Sequence, residues 1–148
     1  MQSETNPIEA SALQASLDLR VVVSRLRRRI MQVTEGEDLT PSQASVLMRI
    51  GKSEAVTAAA LASAEHVRQQ SMAVTLTSLR KLGLITRTPD PSDGRRQIVE
   101  LTEAGRERVE GARQAGVEWL ARAFQERFDD AERRTVVEAM RLLGRLAD

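Results

Sequence analysis

The adjacent glutamines Gln69-Gln70 and the adjacent arginines Arg95-Arg96 are the side chains of this 148-residue chain best suited to act on a partner. A primary amide can bridge the hydrogen-bonding edge of adenine. A guanidinium neutralises phosphate and is drawn into a narrow minor groove, where negative potential is concentrated. The groups that would do covalent chemistry are scarce: cysteine and tyrosine are absent, and His66 is the sole histidine. An enzyme needs an activated nucleophile, a metal or a tuned acid–base pair. Without a metal-ligand cluster or a glycine-rich phosphate loop, catalysis would rest on carboxylates scattered along amphipathic helices. No catalytic residue, metal site or cofactor is therefore expected, and the missing thiols exclude disulfides and fit a reducing compartment.

The glutamines must be carried by a helix running from Arg68 or Gln69 to Leu82, stopped by Gly83 at the left-handed position past a helix end. At about 100° per residue, Met72, Leu76 and Leu79 share one side with Leu82 at its margin, and pack inward. The opposite side carries Gln70, Ala73, Val74, Thr77 and Lys81, with no acid. Small side chains let a helix enter a major groove, amides and hydroxyls reach base edges, and a carboxylate would repel phosphate. Gln70 or Gln69 is the candidate for adenine. The same residues also describe an ordinary solvated helix surface, so the helix alone does not decide.

The arginines sit in "PDPSDGRRQIVELT", residues 89–102, where two prolines and a Ser-Asp-Gly turn precede alternating residues. The pattern reads as a hairpin, with strands over 84–88 and 96–101 and Arg95 at its tip. Asp93 either pairs with Arg95 or accepts backbone amides across the turn. Gly94 is expected to supply backbone angles costly for other residues, and Pro89 and Pro91 to stiffen the loop. Arginines serving only solubility or exposed salt bridges would be scattered along the hairpin. These are clustered at one end. Residues 68–96 hold six cations (Arg68, Arg80, Lys81, Arg87, Arg95, Arg96) against Asp90 and Asp93, a local net charge of +4 that the whole-chain +1 conceals.

Around these elements the chain reads as helices with clear punctuation. Asn6-Pro7 with Glu9 opens one that runs to about Val33, with Leu13, Leu17, Val21, Val22, Leu26, Ile30 and Val33 at helical spacing. At roughly 40 Å it is longer than one compact domain would keep to itself. Thr40-Pro41 with Gln43 opens a second through about Gly51. A short alanine-rich helix over 57–64 and the turn "EHV" precede the glutamine helix, giving the proportions of a helix-turn-helix. Helices over 102–128 and 130–147 close the chain, the last capped by Asp129 with Glu132. "RLRRR" at 25–29 reads as a solvated face before it reads as a phosphate contact. His66 reads as a turn residue. Trp119, Phe124 and Phe128 read as core or interface packing before they read as a ligand cleft. No apolar run approaches the roughly 18 residues of a membrane span, and the start is unlike a signal peptide, so a cytoplasmic protein is expected.

With "LTPSQASVL" at 39–47, "LTSLRKLGLITRTPDPSDGRR" at 76–96 and "VELTEAGRE" at 99–107, the chain resembles the MarR-type winged helix-turn-helix transcriptional regulators. The resemblance implies a mainly α fold with a small antiparallel β-hairpin wing. One winged helix-turn-helix DNA-binding lobe (39–101) would be flanked by dimerisation helices (8–33 and 102–147) within a single 1–148 domain. It implies a homodimer on double-stranded DNA, repressing neighbouring genes until a small, often aromatic effector enters a cleft between the dimer helices and the lobe. By that match Arg68, Gln69, Gln70, Ser71, Ala73, Val74 and Thr77 include the reading positions, joined by Lys81 on the same face, and Arg96 accompanies Arg95 and Asp93 in the wing. Arg68 stands where the family commonly has a Ser, Thr or Asp cap, leaving helix amides open to a phosphate. Val74 replaces a frequent basic residue and could meet a thymine methyl. The missing cysteines exclude the family's redox-sensing branch, and the single histidine disfavours metal sensing. The competing class is a helical protein-interaction module, which the long terminal helices allow but which does not require an arginine-tipped hairpin.

Overall fold

The computed structural model of the chain describes residues 7–34, 36, 38–53 and 56–147. Six helices and one hairpin follow in the order α1 (Ala10–Thr34), α2 (Pro41–Gly51), α3 (Ala58–Ala64), α4 (Gln69–Lys81), β1 (Ile85–Pro89), β2 (Gln97–Leu101), α5 (Glu103–Arg127) and α6 (Asp130–Gly144). α1 begins at Ala10, with Leu13 N donating to Glu9 O; the expected cap at Asn6 lies outside the described residues. α6 stops at Gly144, short of the expected 147.

Local signals fix most boundaries. The Thr40 hydroxyl accepts from Gln43 N at 3.2 Å while Gln43 Oε1 accepts from Thr40 N at 2.9 Å, a reciprocal capping box with Pro41 in the first turn. Asp129 and Glu132 repeat the box for α6. Thr57 caps α3 and Thr102 caps α5. α4 ends in a Schellman motif: Gly83 adopts φ 74°, Gly83 N donates to Arg80 O, and Leu84 N donates to Leu79 O.

The buried core belongs entirely to the middle of the chain. Val46, Leu47 and Ile50 of α2, Leu61 and Ala62 of α3, Met72, Leu76 and Leu79 of α4, and Ile85 and Val99 of the hairpin pack with Leu39 into one cluster. α1 and α6 contain no buried residue among those described. β1 and β2 pair antiparallel with Arg87 opposite Val99. Val56–Thr57 adds a third edge, since Val99 N donates to Val56 O at 2.7 Å and Thr57 bridges Ile98. The sequence reading placed Thr57 at the start of the short helix and gave Val56 no strand role.

α5 is welded to the end of α4. The Thr102 hydroxyl donates to Gly83 O at 2.6 Å and Thr102 N to Leu84 O at 3.1 Å. Gly105 packs against the same carbonyl so closely that a Cβ there would lie 2.0 Å from Leu84 O.

Candidate nucleic-acid interface

α4 separates its residues by face as the spacing requires. Met72, Leu76 and Leu79 are at most 1% exposed, while Gln69, Gln70, Ser71, Ala73, Val74 and Lys81 are exposed and Thr77 is half-buried. Val74, at 71% exposure, is an apolar side chain left wholly in solvent at the centre of that face. A shallow groove there is lined by Ala73, Val74, Thr77, Ser78 and Lys81. No acid occurs anywhere in α4. The helix is held in place from behind: Gln43 Nε2 donates to Ser78 Oγ at 2.7 Å, so the side chain that caps α2 also fastens α4.

The entry to α4 is open. Arg68 occupies the cap position with extended backbone and makes no side-chain cap bond, leaving the first-turn amides for water or an anion. His66, just upstream, adopts φ 55° at the end of α3, with His66 N donating to Ser63 O and Val67 N to Ala62 O. This is again a Schellman turn, with histidine where glycine is usual, so the residue is exposed but occupied in making the turn.

The tip of the hairpin is organised by two aspartates. Asp90 Oδ1 accepts from Ser92 N at 2.9 Å and from Ser92 Oγ at 2.8 Å, and Asp90 N donates to Arg96 O. The Ser92 backbone amide first, then its hydroxyl, holds the Asp90 carboxyl below its ordinary pKa. Of the two arrangements open to Asp93, the structure shows the second: its Oδ1 accepts from Arg95 N at 3.1 Å, and no Asp93–Arg95 ion pair is present among the described residues. Arg95 and Arg96 are fully on the outside. The expectation for Gly94 is corrected. Among the described glycines only Gly83 has positive φ. The turn is closed by Arg96 N donating to Asp93 O at 2.9 Å, a four-residue turn whose central residues take right-handed angles open to any side chain. In the sequence Asp90 was counted only for its charge, although Asp-Pro-Ser is a turn signal. Arg87, on the core-facing side of β1, has its Nε buried without a hydrogen-bond partner among the described residues.

A second concavity of about 730 Å³ opens between α1, α2 and α5. Its walls are apolar, with Leu26, Ile30, Met48 and Leu120 among them, and four cations reach it: Arg27, Arg49, Lys52 and Arg113. The aromatic residues do not line it. Trp119 lies beneath the Arg29 guanidinium, 6.0 Å from its ring centroid, and Phe124 and Phe128 pack together at the end of α5. Among the described residues no group of acidic, histidine or cysteine side chains could hold a metal, and no helix is long and apolar enough to cross a membrane.

Residues 37–96 match the sequence model of the MarR family. An HTH-type transcriptional regulator of Mycobacterium bovis is 39% identical over 114 residues, covering 77% of this chain and 79% of that protein. The crystal structure of a transcriptional regulator from Pseudomonas aeruginosa superposes with a TM-score of 0.74 at 34% identity, covering 95% of this chain and 99% of the other. A mutant of Staphylococcus aureus MepR, solved bound to an oligodeoxyribonucleotide, shares the fold with a TM-score of 0.63 at 21% identity over 89% of this chain and 97% of its own.

Proposed function

Starting from the fact that the chain belongs to the MarR family of transcriptional regulators, we propose that it is a sequence-specific DNA-binding regulator acting as a homodimer on a palindromic operator. The observation that carries the reading is the pairing of an acid-free, solvent-facing side of α4 with a wing whose tip is tied down by Asp90 and Asp93. In this reading α4 enters the major groove. Gln69, Gln70 and Thr77 read base edges, Ala73 and Val74 allow close approach, and Val74 meets a thymine methyl. Arg68, Ser71 and Lys81 take phosphates, with the uncapped amides of the first turn assisting. Arg95 enters the adjoining minor groove and Arg96 follows its backbone.

The exposed apolar surface of the terminal helices supports the dimer. Leu13 and Leu17 of α1 are 53% and 54% exposed, and Val137 and Met140 of α6 are 70% and 56% exposed. An exposed apolar stripe on a helix is normally covered by another element, and a second copy presents the same surface by two-fold symmetry. In this scheme 8–33 and 102–147 form the dimer arms and 39–101 the DNA-binding lobe. The cleft between arms and lobe would take a small effector whose binding releases the DNA, making the protein a repressor in the cytoplasm.

Footprinting tests the reading. A palindrome selected from random duplexes is expected to show two protected half-sites centred about 10 base pairs, or one helical turn, apart. Protection of one half-site, or equal affinity for every duplex, would leave the interaction-module reading ahead.

A further inference from the structure

The cleft is physically joined to the turn that launches α4. Ser45 and Arg49 line it from α2, and both hold the same carboxylate oxygen: Glu65 Oε1 accepts from Ser45 Oγ at 2.8 Å and is ion-paired with the Arg49 guanidinium. Glu65 is the last residue of the α3 turn, followed by His66 in the left-handed region and then by Arg68 at the start of α4. A carboxylate at the end of a helix faces the negative pole of the backbone carbonyls, so its placement depends on an outside cation. The Glu65 side chain is 16% exposed, which leaves little water to replace that cation.

The charge of the cleft selects what could compete. Arg27, Arg49, Lys52 and Arg113 reach it, Arg49 paired with Glu65 and Arg113 with Glu110, and among the described residues no acid itself lines it. An apolar body bearing one carboxylate complements such a surface, and the carboxylate would find Ser45 and Arg49 already engaged by Glu65.

We propose that Glu65 is a positioning residue for α4, and that an amphipathic monoanion in the cleft competes with it for Ser45 and Arg49. The inference rests on reading the cleft as an effector site. With the anion in place, Glu65 loses its hold on α2, and the strained turn between α3 and α4 loses its anchor. α4 then ceases to sit at the angle that two symmetric half-sites demand. Coupling is reciprocal: whatever factor the anion takes from DNA affinity, DNA takes from anion affinity.

The test uses the full-length protein, a duplex it has selected, benzoate as the anion and benzamide as its neutral counterpart, with binding followed by calorimetry. Benzoate is expected to bind and to weaken DNA binding by about tenfold, within the usual range of allosteric coupling, and benzamide to leave it unchanged. Glu65→Gln should start with weaker DNA binding and respond to benzoate by less than about twofold. It should nevertheless bind benzoate at least about threefold more tightly, because the competitor's charge is gone. Glu65→Asp, which keeps the charge, should retain most of the response and guards against a folding defect. A merely structural Glu65 would not raise benzoate affinity. If benzoate binds Glu65→Gln and wild type equally, the latch is refuted while the effector cleft stands. If benzoate binds neither, the cleft reading falls and the latch with it.

Discussion

Replacing Arg95 by alanine should weaken DNA binding in a way that depends on salt with a calculable slope. Arg95 lies on the outside of the wing with its backbone amide held by Asp93, and its side chain makes no hydrogen bond or ion pair among the described residues. Its loss therefore costs the fold little, within about 0.5 kcal/mol for an exposed site. On DNA a dimer loses two cations. Each phosphate charge neutralised contributes about 0.9 to the slope of log affinity against log salt, so the slope should become shallower by about 1.8. Extrapolated from 1 M to 0.15 M salt, each contact is worth roughly a factor of 5.5, and two give about 30-fold, or ~2 kcal/mol. Fluorescence anisotropy with a labelled operator, run from 0.1 to about 0.6 M salt for parent and variant, measures both quantities. The two lines should converge as salt rises. Parallel lines would mean that Arg95 acts through something other than charge, and coincident lines would remove the wing from the interface.

Four further outcomes follow from the geometry. Gly105→Ala should cost about 1–3 kcal/mol or more in denaturant melts, because its Cβ would sit 2.0 Å from Leu84 O. Gly94→Ala, with nothing within 4 Å and no positive φ, should be neutral or stabilising by up to ~1 kcal/mol. His66→Gly should raise stability by about 0.5–1 kcal/mol, since φ 55° is strained for histidine, and an unchanged melt would show the turn relaxes at no cost. The Ser92 amide resonance should titrate with a midpoint below 3.8, the ordinary aspartate value, because Asp90 is held ionised by that amide. A carboxyl depressed in the folded state stabilises the wing above the unfolded value and loses that contribution as pH falls through the folded one, so wing order should fade only in acid.

What the sequence revealed was what lies close along the chain. Thr40-Pro41-Gln43, Asp129-Glu132 and Gly83 announce helix ends because the donor and acceptor of each cap are a few residues apart. The buried and exposed faces of α4 follow from a period that needs no partner, so the candidate reading face was visible in full. Contacts between distant segments left no such trace. Gln43 meets Ser78 across 35 positions, Arg49 meets Glu65 across 16, and Thr57 bridges Ile98. Gly94 was misjudged for a local reason: a glycine after aspartate suits both a left-handed turn and a right-handed one, the same Arg96 N to Asp93 O bond closes either, and only the backbone φ separates them. Arg87 is similar. Counted as one more surface cation in sequence, it turns its Nε beneath the sheet because it shares a face with Val99.

The core divides the chain into a packed lobe and helices that lack buried residues of their own. The lobe carries its own cluster from Leu39 to Val99, which packs α4 against the base of the hairpin. α1 and α6 have no buried residue of their own, and in the proposed homodimer a second copy would cover them. α5 crosses between the two: near one end Gly105 and Thr102 are locked to Gly83 and Leu84, just past the end of α4, and further along Gly116 lies against Ile30 and Thr34 of α1. Close-packed joints of this kind transmit a shift rather than absorb it, because interiors repack in discrete steps and compress little. In the proposed mechanism a molecule wedged between α1 and α5 would act on α4 by two routes, through the Thr102 weld at its end and through Glu65 before its start. The lobe would then tilt as a whole, and on the proposed two-fold dimer a common tilt would move both α4 helices off a spacing that the duplex holds fixed.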